Sequence, residues 1–185
     1  LKIKSFNGCS VDESFTSEIE KRLMLGNSIE KIDGVNQLVD IKKFHLDRIK
    51  SLFDIDFISN RLKKMKLRIF VDSMHGSAAN CMADIFASND SEVISEIRKD
   101  SDPFFGGKPP EPLLNYVDDL NQILIKNSTN EVKTLGIIFD GDGDRIAAID
   151  EKGRYSSTQD LLPYFIHYLG EIKNNSYPVL KTVSG

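Results

Sequence analysis

Apolar residues recur along this chain in two rhythms, and the switch between them divides it. Over residues 12–25, Phe15, Ile19, Leu23 and Met24 fall at helical spacing in a polar stretch that Gly26-Asn27 closes, which predicts one surface helix. Residues 27–36, with the turn pair Asp33-Gly34, read as a linker. Two short helical patterns follow between Phe44 and Lys66, carrying Leu46, Ile49 and Phe53 and ending in a basic run. From Leu67 the rhythm changes. Leu67-Arg68-Ile69-Phe70-Val71-Asp72 is a β-rich run, Met74-His75-Gly76 a tight connection, and Ser77 can cap a helix through Ala87. Val93, Ser95 and Ile97 alternate against Ile94 in a second strand within 92–98.

A Pro- and Gly-rich loop over 102–112 comes next, and Pro112 suits the first turn of a helix bearing Leu113, Leu114, Val117, Leu120, Ile123 and Leu124. Residues 134–139 form a run apolar on both faces, as a strand buried under helices would be, and Ile146-Ala147-Ala148-Ile149 forms another. After the turn Asp150-Glu151-Lys152-Gly153, residues 158–169 read as a helix presenting Leu161, Leu162, Phe165, Ile166 and Leu169. Pro163 is tolerable there only in a first turn, so Asp160 is preferred to Thr158 as N-cap.

With 185 residues the chain can hold one full α/β domain and pieces of others. Hydrophobic residues at 40% and charged residues at 28% exclude a disordered tail, a collagen-like repeat and a disulfide mini-protein. A net charge of -4 gives no bulk attraction to nucleic acid or anionic lipid, so any phosphate chemistry must be local. Cys9 and Cys81 lack a spaced partner, and His45, His75 and His167 show no zinc-ligand spacing. No stretch approaches the roughly 18–20 apolar residues of a membrane span, and the start lacks an apolar signal core, which makes the cytoplasm the simplest compartment. The chain begins without Met and closes on Lys181-Thr182-Val183-Ser184-Gly185 directly after a strand-like Val179-Leu180, so both ends read as cuts in a longer protein.

The chemistry concentrates between the two apolar runs, in Asp140-Gly141-Asp142-Gly143-Asp144-Arg145. Carboxylates at every second residue converge on one side of an extended or tightly turned backbone. At about 4 Å and an effective dielectric near 20, each ionised pair repels by about 4 kcal/mol, so three oppose folding by on the order of 10 kcal/mol unless screened, protonated or bridged. A hard divalent ion is the natural remedy. Gly141 and Gly143 let the backbone curl round it, and all-oxygen ligation points to Mg²⁺, Mn²⁺ or Ca²⁺. Arg145 adds a planar fork suited to a phosphate held by the same ion. A solvated Asp-Gly turn is the bland alternative. An EF-hand loop would place Asp140, Asp142, Asp144 and Glu151 at its acidic positions, but Arg145 stands where its sharp-turn Gly belongs and a strand precedes the loop. Phe139-Asp140-Gly141-Asp142-Gly143 also resembles the DxDx(T/V) motif of the haloacid dehalogenase phosphatases, with Asp144 at the next small or hydroxyl position.

The loop reads DGDGDR and in that form resembles the metal loop DGDxDR of the α-D-phosphohexomutase family, the phosphoglucomutases and phosphomannomutases. Further likenesses follow in family order. Val71-Asp72-Ser73-Met74-His75-Gly76 resembles its DxMHG, and Asp102-Pro103-Phe104-Phe105-Gly106-Gly107 with Pro110-Glu111-Pro112 resembles its DPxFGG and PEP elements. Asp150-Glu151-Lys152-Gly153 resembles its DExG turn, and Lys181-Thr182-Val183 its KTV strand. The resemblance implies a three-layer α/β/α fold with a mixed sheet, as a fragment of a four-domain enzyme. Residues 1–36 would be the tail of the first domain and a linker, 37–155 the second domain, and 156–185 the start of the third. It implies Mg²⁺ on Asp140, Asp142 and Asp144, phosphate on Arg145, and a phosphoserine that exchanges its phosphoryl group with a hexose phosphate through a hexose 1,6-bisphosphate. Leu1-Lys2 would end the family's NGxK element and make Lys2 its active-site lysine.

No Ser-His-Asn-Pro serine loop occurs in the chain, nor the sugar-selecting GExSGH or the phosphate-binding RxSGTE loop, so this piece by itself is expected to be inactive and its sugar is unreadable. The partner implied is a hexose phosphate, with no nucleic acid and no membrane. Two other readings remain: a dehalogenase-type phosphatase using Asp140 as nucleophile, and a non-catalytic domain stabilised by Ca²⁺. Elsewhere, His75 reads as ordering its turn, Lys108 as a solvated loop charge, Gly76-Ser77 as a helix cap, and the basic cluster 61–68 as a solvated helix end.

Overall fold

The computed structural model describes residues 3–26, 34, 37–86 and 93–180. Two compact units are present, Leu1–Val39 and Asp40–Gly185. In the first, Lys4 and Ser10 form an isolated antiparallel bridge and helix α1 spans Glu13–Met24, as its spacing predicts. None of its residues is buried, and Gly26 leaves it at φ 62°.

The second unit is built on a five-stranded mixed sheet. Strands β1 (Leu67–Asp72), β2 (Ile94–Ile97), β3 (Lys133–Phe139), β4 (Ile146–Asp150) and β5 (Tyr155–Ser156) lie in the order β2-β1-β3-β4-β5. β1 pairs in parallel with β2 and β3, whereas β3, β4 and β5 run antiparallel in turn. In the β3–β4 ladder Phe139 pairs directly with Ile146, so residues 140–145 form the closed end of a hairpin.

Alternation along the strands sends side chains into two cores. On one face Phe70, Ile138, Ala147 and Ile149 pack with Val117, Leu120 and Leu124, the last two carried by α5 (Asp118–Asn127). On the other, Val71 and Ile94 pack with Leu46, Leu62, Ile85 and Phe86 from α2 (Ile41–Leu52), α3 (Ile55–Lys64) and α4 (Cys81–Phe86). This is the three-layer arrangement that the apolar pattern and the family likeness imply. β3 meets the expectation of double-sided burial only in part. Thr134, Gly136 and Ile138 are buried under α5, while Leu135, Ile137 and Phe139 are half-buried. Asp40 and Asp54 cap α2 and α3 by accepting from the Lys43 and Phe57 amides at 2.9 and 2.8 Å. Arg61, Lys63 and Lys64 occupy the last turn of α3, where cations complement the helix dipole.

Four expectations need correction. The helix after β1 does not run from Ser77: α4 begins at Cys81, because Asn80 takes φ 61° and Glu96 of β2 reaches over to accept from the Asn80 and Ala83 amides, both at 2.7 Å. The helix expected from Pro112 splits into a 3₁₀ turn over Leu114–Tyr116 and α5. Two carbonyls that a continuous helix would use are taken by distant side chains: Pro112 O accepts from the Tyr155 hydroxyl, and Tyr116 O from Arg98 Nη2 at 3.0 Å.

In α6 (Thr158–His167), which continues into a π turn over Tyr168–Ile172, the N-cap is Ser157, with Asp160 closing a capping box from the third helical position. Pro163 is therefore the sixth helical residue, tolerated on a helix none of whose residues is buried, where the acceptor it leaves vacant can meet water. Finally, Val179-Leu180 is irregular rather than the start of a strand. Leu1-Lys2, residues 27–33, 35 and 36 of the linker, Ala87 and Lys181-Thr182-Val183 lie outside the described residues. Among those residues, no helix is long and apolar enough to cross a membrane.

Candidate metal centre

The hairpin end between β3 and β4 gathers the three aspartates. Asp140, the first residue past β3, is 1% exposed, while Asp142 and Asp144 face solvent. One carboxylate oxygen from each lies within 4.8 Å of the others. Two oxygens on opposite sides of a hard divalent ion stand roughly 4–5 Å apart, given metal–oxygen bonds of about 2.0–2.6 Å, so the set fits such an ion. Gly143 makes this convergence possible: it takes φ 77°, which side chains rarely adopt, and its amide donates to Asp140 O at 3.2 Å.

Arg145 closes the loop onto its first residue. Its amide donates to Asp140 Oδ1 at 3.0 Å and its Nε to Asp140 Oδ2 at 2.7 Å. Burial pushes the Asp140 carboxyl up, but these bonds from Arg145 outweigh it and hold the group below its ordinary range. Asp140 in turn raises the already basic guanidinium. Each Asp140 oxygen retains a second lone pair after accepting one bond, so the pairing leaves room for a metal ligand. The guanidinium is half-exposed and lies 3.9 Å from Glu111 Oε1. A cleft of about 340 Å³ opens here, bounded by Phe105, Pro110, Glu111, Asp140, Asp142 and Arg145. A larger hollow of about 480 Å³ lies at the other end of β1, beside Lys63, Lys66 and Arg68, away from the acids.

Two other segments grip the loop through one residue. Gly141 N donates to Pro110 O and Gly141 O accepts from Ser77 N, each at 3.0 Å. A Cβ on Gly76 would stand 2.5 Å from Gly141 O, and one on Gly141 would stand 2.8 Å from Pro110 Cγ. The glycines at 76 and 141 are thus required by close approach. His75 Nδ1 lies 2.7 Å from Asp100 O, consistent with its reading as a turn-ordering residue. Lys108 is exposed, and Lys2 lies outside the described residues. Sequence reasoning brought Asp140, Asp142, Asp144 and Arg145 together, as the structure does. It missed Glu111 as a neighbour of Arg145 and Arg98 as a partner of Asp72, for no local spacing signals either.

Residues 43–153 match the sequence profile of the phosphoglucomutase/phosphomannomutase α/β/α domain II. The chain therefore belongs to the phosphoglucomutase/phosphomannomutase family. A phosphoglucosamine mutase of Methanococcus vannielii is 29% identical over 187 residues, covering 99% of this chain and 40% of that protein. One from Methanococcus aeolicus is 34% identical over 148 residues, covering 77% of the chain and 32% of the relative. Phosphoglucomutase 1 of Drosophila melanogaster is 29% identical over 147 residues, covering 78% and 25%. The chain thus spans no more than 40% of the length of these curated relatives. In fold it is similar to a phosphoglucomutase/phosphomannomutase family protein of Burkholderia thailandensis, with a TM-score of 0.64 at 20% identity, covering 90% of this chain and 33% of that one.

Proposed function

We propose that this chain supplies the metal-holding domain of a phosphohexomutase, an enzyme interconverting hexose 1-phosphate and hexose 6-phosphate. In this reading residues 37–155 are that domain, 1–36 end a preceding domain and linker, and 156–185 open a following one. The observation that carries the proposal is the convergence of Asp140, Asp142 and Asp144 within 4.8 Å at the end of a buried strand, in a domain of this family.

Asp140, Asp142 and Asp144 would hold Mg²⁺. Bound there, the ion would neutralise charge on a phosphoryl group in transfer between a serine of the intact enzyme and a hexose phosphate. Asp140 anchors the loop and, through its bond to Arg145 Nε, aims the guanidinium along the rim of the cleft. Arg145 presents its remaining donors to a phosphate in bidentate fashion, which fits a dianion better than a point charge would. Glu111 limits how far that guanidinium swings. Lys2 is proposed as a second cationic contact near the serine. The chain alone, without the serine loop, is expected to show no mutase turnover.

Titration calorimetry tests the loop. Wild-type protein should bind Mg²⁺ and Mn²⁺, and Asp142→Asn should bind far less; equal heats from both would remove the basis of the proposal. The phosphatase reading needs Asp140 free to attack, yet that carboxylate is buried and engaged at both oxygens by Arg145. It predicts release of phosphate from an aryl phosphate. A Ca²⁺-stabilised interaction domain predicts a larger thermal shift with Ca²⁺ than with Mg²⁺.

A further inference from the structure

Asp72 closes β1 fully buried, and Arg98 meets it from just beyond β2. Arg98 Nε donates to Asp72 Oδ1 at 2.8 Å, its Nη2 bonds Asp72 Oδ2, and Nη2 also donates to Tyr116 O at 3.0 Å. The remaining capacity of Asp72 Oδ1 accepts from Met74 N at 3.0 Å. Both charges are therefore paired and further hydrogen-bonded, the condition under which a buried ion pair is tolerated. The main chain is tied at the same place: Arg98 O accepts from His75 N at 2.7 Å, and Ile97 O from Ser73 N at 3.3 Å. Arg98, Met74 and His75 take φ of 45°, 45° and 59°, a region that side chains rarely occupy unless the surroundings over-determine it.

This knot holds both segments that grip the acidic loop. The turn after β1 leads within two residues of His75 to Ser77, whose amide donates to Gly141 O. The chain leaving Arg98 passes Asp100, whose carbonyl meets His75 Nδ1, and Asp102, whose amide donates to His75 O at 3.5 Å, before reaching Pro110, which accepts from Gly141 N. Arg98 itself touches none of the three aspartates.

We propose that the Asp72–Arg98 pair is the positioning element of the acidic loop, fixing the Gly141 carbonyl through Ser77 and its amide through the segment that ends at Pro110, and so setting how well Asp140, Asp142 and Asp144 converge on a cation. Its geometry stands alone; its consequence for metal rests on the metal-loop reading above. Loss of a group bonded directly to a metal ligand typically weakens binding 10- to 100-fold; this pair acts one step further out, so its loss belongs at the low end of that range.

The test compares Arg98→Met, Arg98→Lys and Asp72→Asn with the wild-type chain. Amide hydrogen exchange at Ser77 and Gly141 should accelerate in Arg98→Met and Asp72→Asn while Ile138 in β3 stays protected. Arg98→Lys, which keeps the charge but loses the fork, should fall between. Mn²⁺ affinity by calorimetry should drop about tenfold in Arg98→Met, with partial recovery in Arg98→Lys. Exchange at Ser77 and Gly141 no faster than wild type, or a uniform rise at every amide including Ile138, overturns the proposal. An Arg98→Met chain that does not fold leaves the same comparison to Arg98→Lys and Asp72→Asn. If the wild type takes up no Mn²⁺, the metal reading fails, and the exchange pattern still decides whether this pair positions the loop.

Discussion

At the level of single residues, the acidic loop is built by two glycines as much as by three aspartates. Gly76 carries no unusual φ; its constraint is room. Replacing it with Ala places a Cβ 2.5 Å from a backbone oxygen, where neither side can yield by rotamer change. Gly76→Ala should therefore lose about 1–3 kcal/mol in urea unfolding, typical of overpacking, and should also weaken Mn²⁺ binding because the displaced atom belongs to Gly141. A variant as stable as wild type would mean the two turns do not touch as described. This constraint was not readable from sequence, since the contact joins positions 76 and 141. The carboxylates were readable because their period of two is local and their mutual repulsion demands an explanation.

Individual elements show the same split between local and distant causes. β1, β3 and β4 follow from their apolar runs, and α2 and α3 from their spacing and their aspartate caps. The break between the 3₁₀ turn and α5 does not, since it depends on Arg98 and Tyr155 claiming carbonyls 18 and 43 residues away in the chain. The packing of α5 on β3 likewise hinges on a small residue: a Cβ on Gly136 would come within 2.8 Å of Leu120 Cδ2 and 2.9 Å of Leu124 Cδ1. Leu124→Ala should cost about 2–5 kcal/mol, and Gly136→Ala about 1–3 kcal/mol. Together they should cost less than their sum, because the added methyl fills part of the cavity; strict additivity in denaturation would argue against this contact.

The loop 102–107 carries its own pH signature. The Phe104 and Gly106 amides, donating at 2.9 Å each, hold the Asp102 carboxyl below its ordinary range. A depressed carboxylate contributes stability present above the unfolded value, about pH 4, and lost as pH falls through the folded one. The Gly106 amide resonance should thus shift at a pH below that of an unperturbed aspartate and stop titrating in Asp102→Asn. A midpoint at or above the ordinary value would contradict the two bonds.

For the molecule as a whole, the sheet concentrates function at one end. β1 and β3 run parallel, so Asp72 and Phe139 end on the same side, and the turns that follow them meet over Gly141. A ligand bound to the folded state alone stabilises it by about 2.7 kcal/mol at a hundredfold excess over its dissociation constant. Mg²⁺ should accordingly raise the melting temperature of the wild type by several degrees and leave that of Asp142→Asn unmoved. Mixed pairing itself was foreseeable, in that a short connection joins β3 to β4 while helices separate β1, β2 and β3.

The direct pairing of Phe139 with Ile146 leaves the acidic turn no slack. Adding or deleting one residue there would either pinch the turn or slide β4 by one place, turning Ala147 and Ile149 out of the core and Ile146, Ala148 and Asp150 into it. Substitution is thus the only kind of change this turn can absorb, and mutational tolerance scans that include single-codon insertions should find a sharp gap between residues 140 and 145.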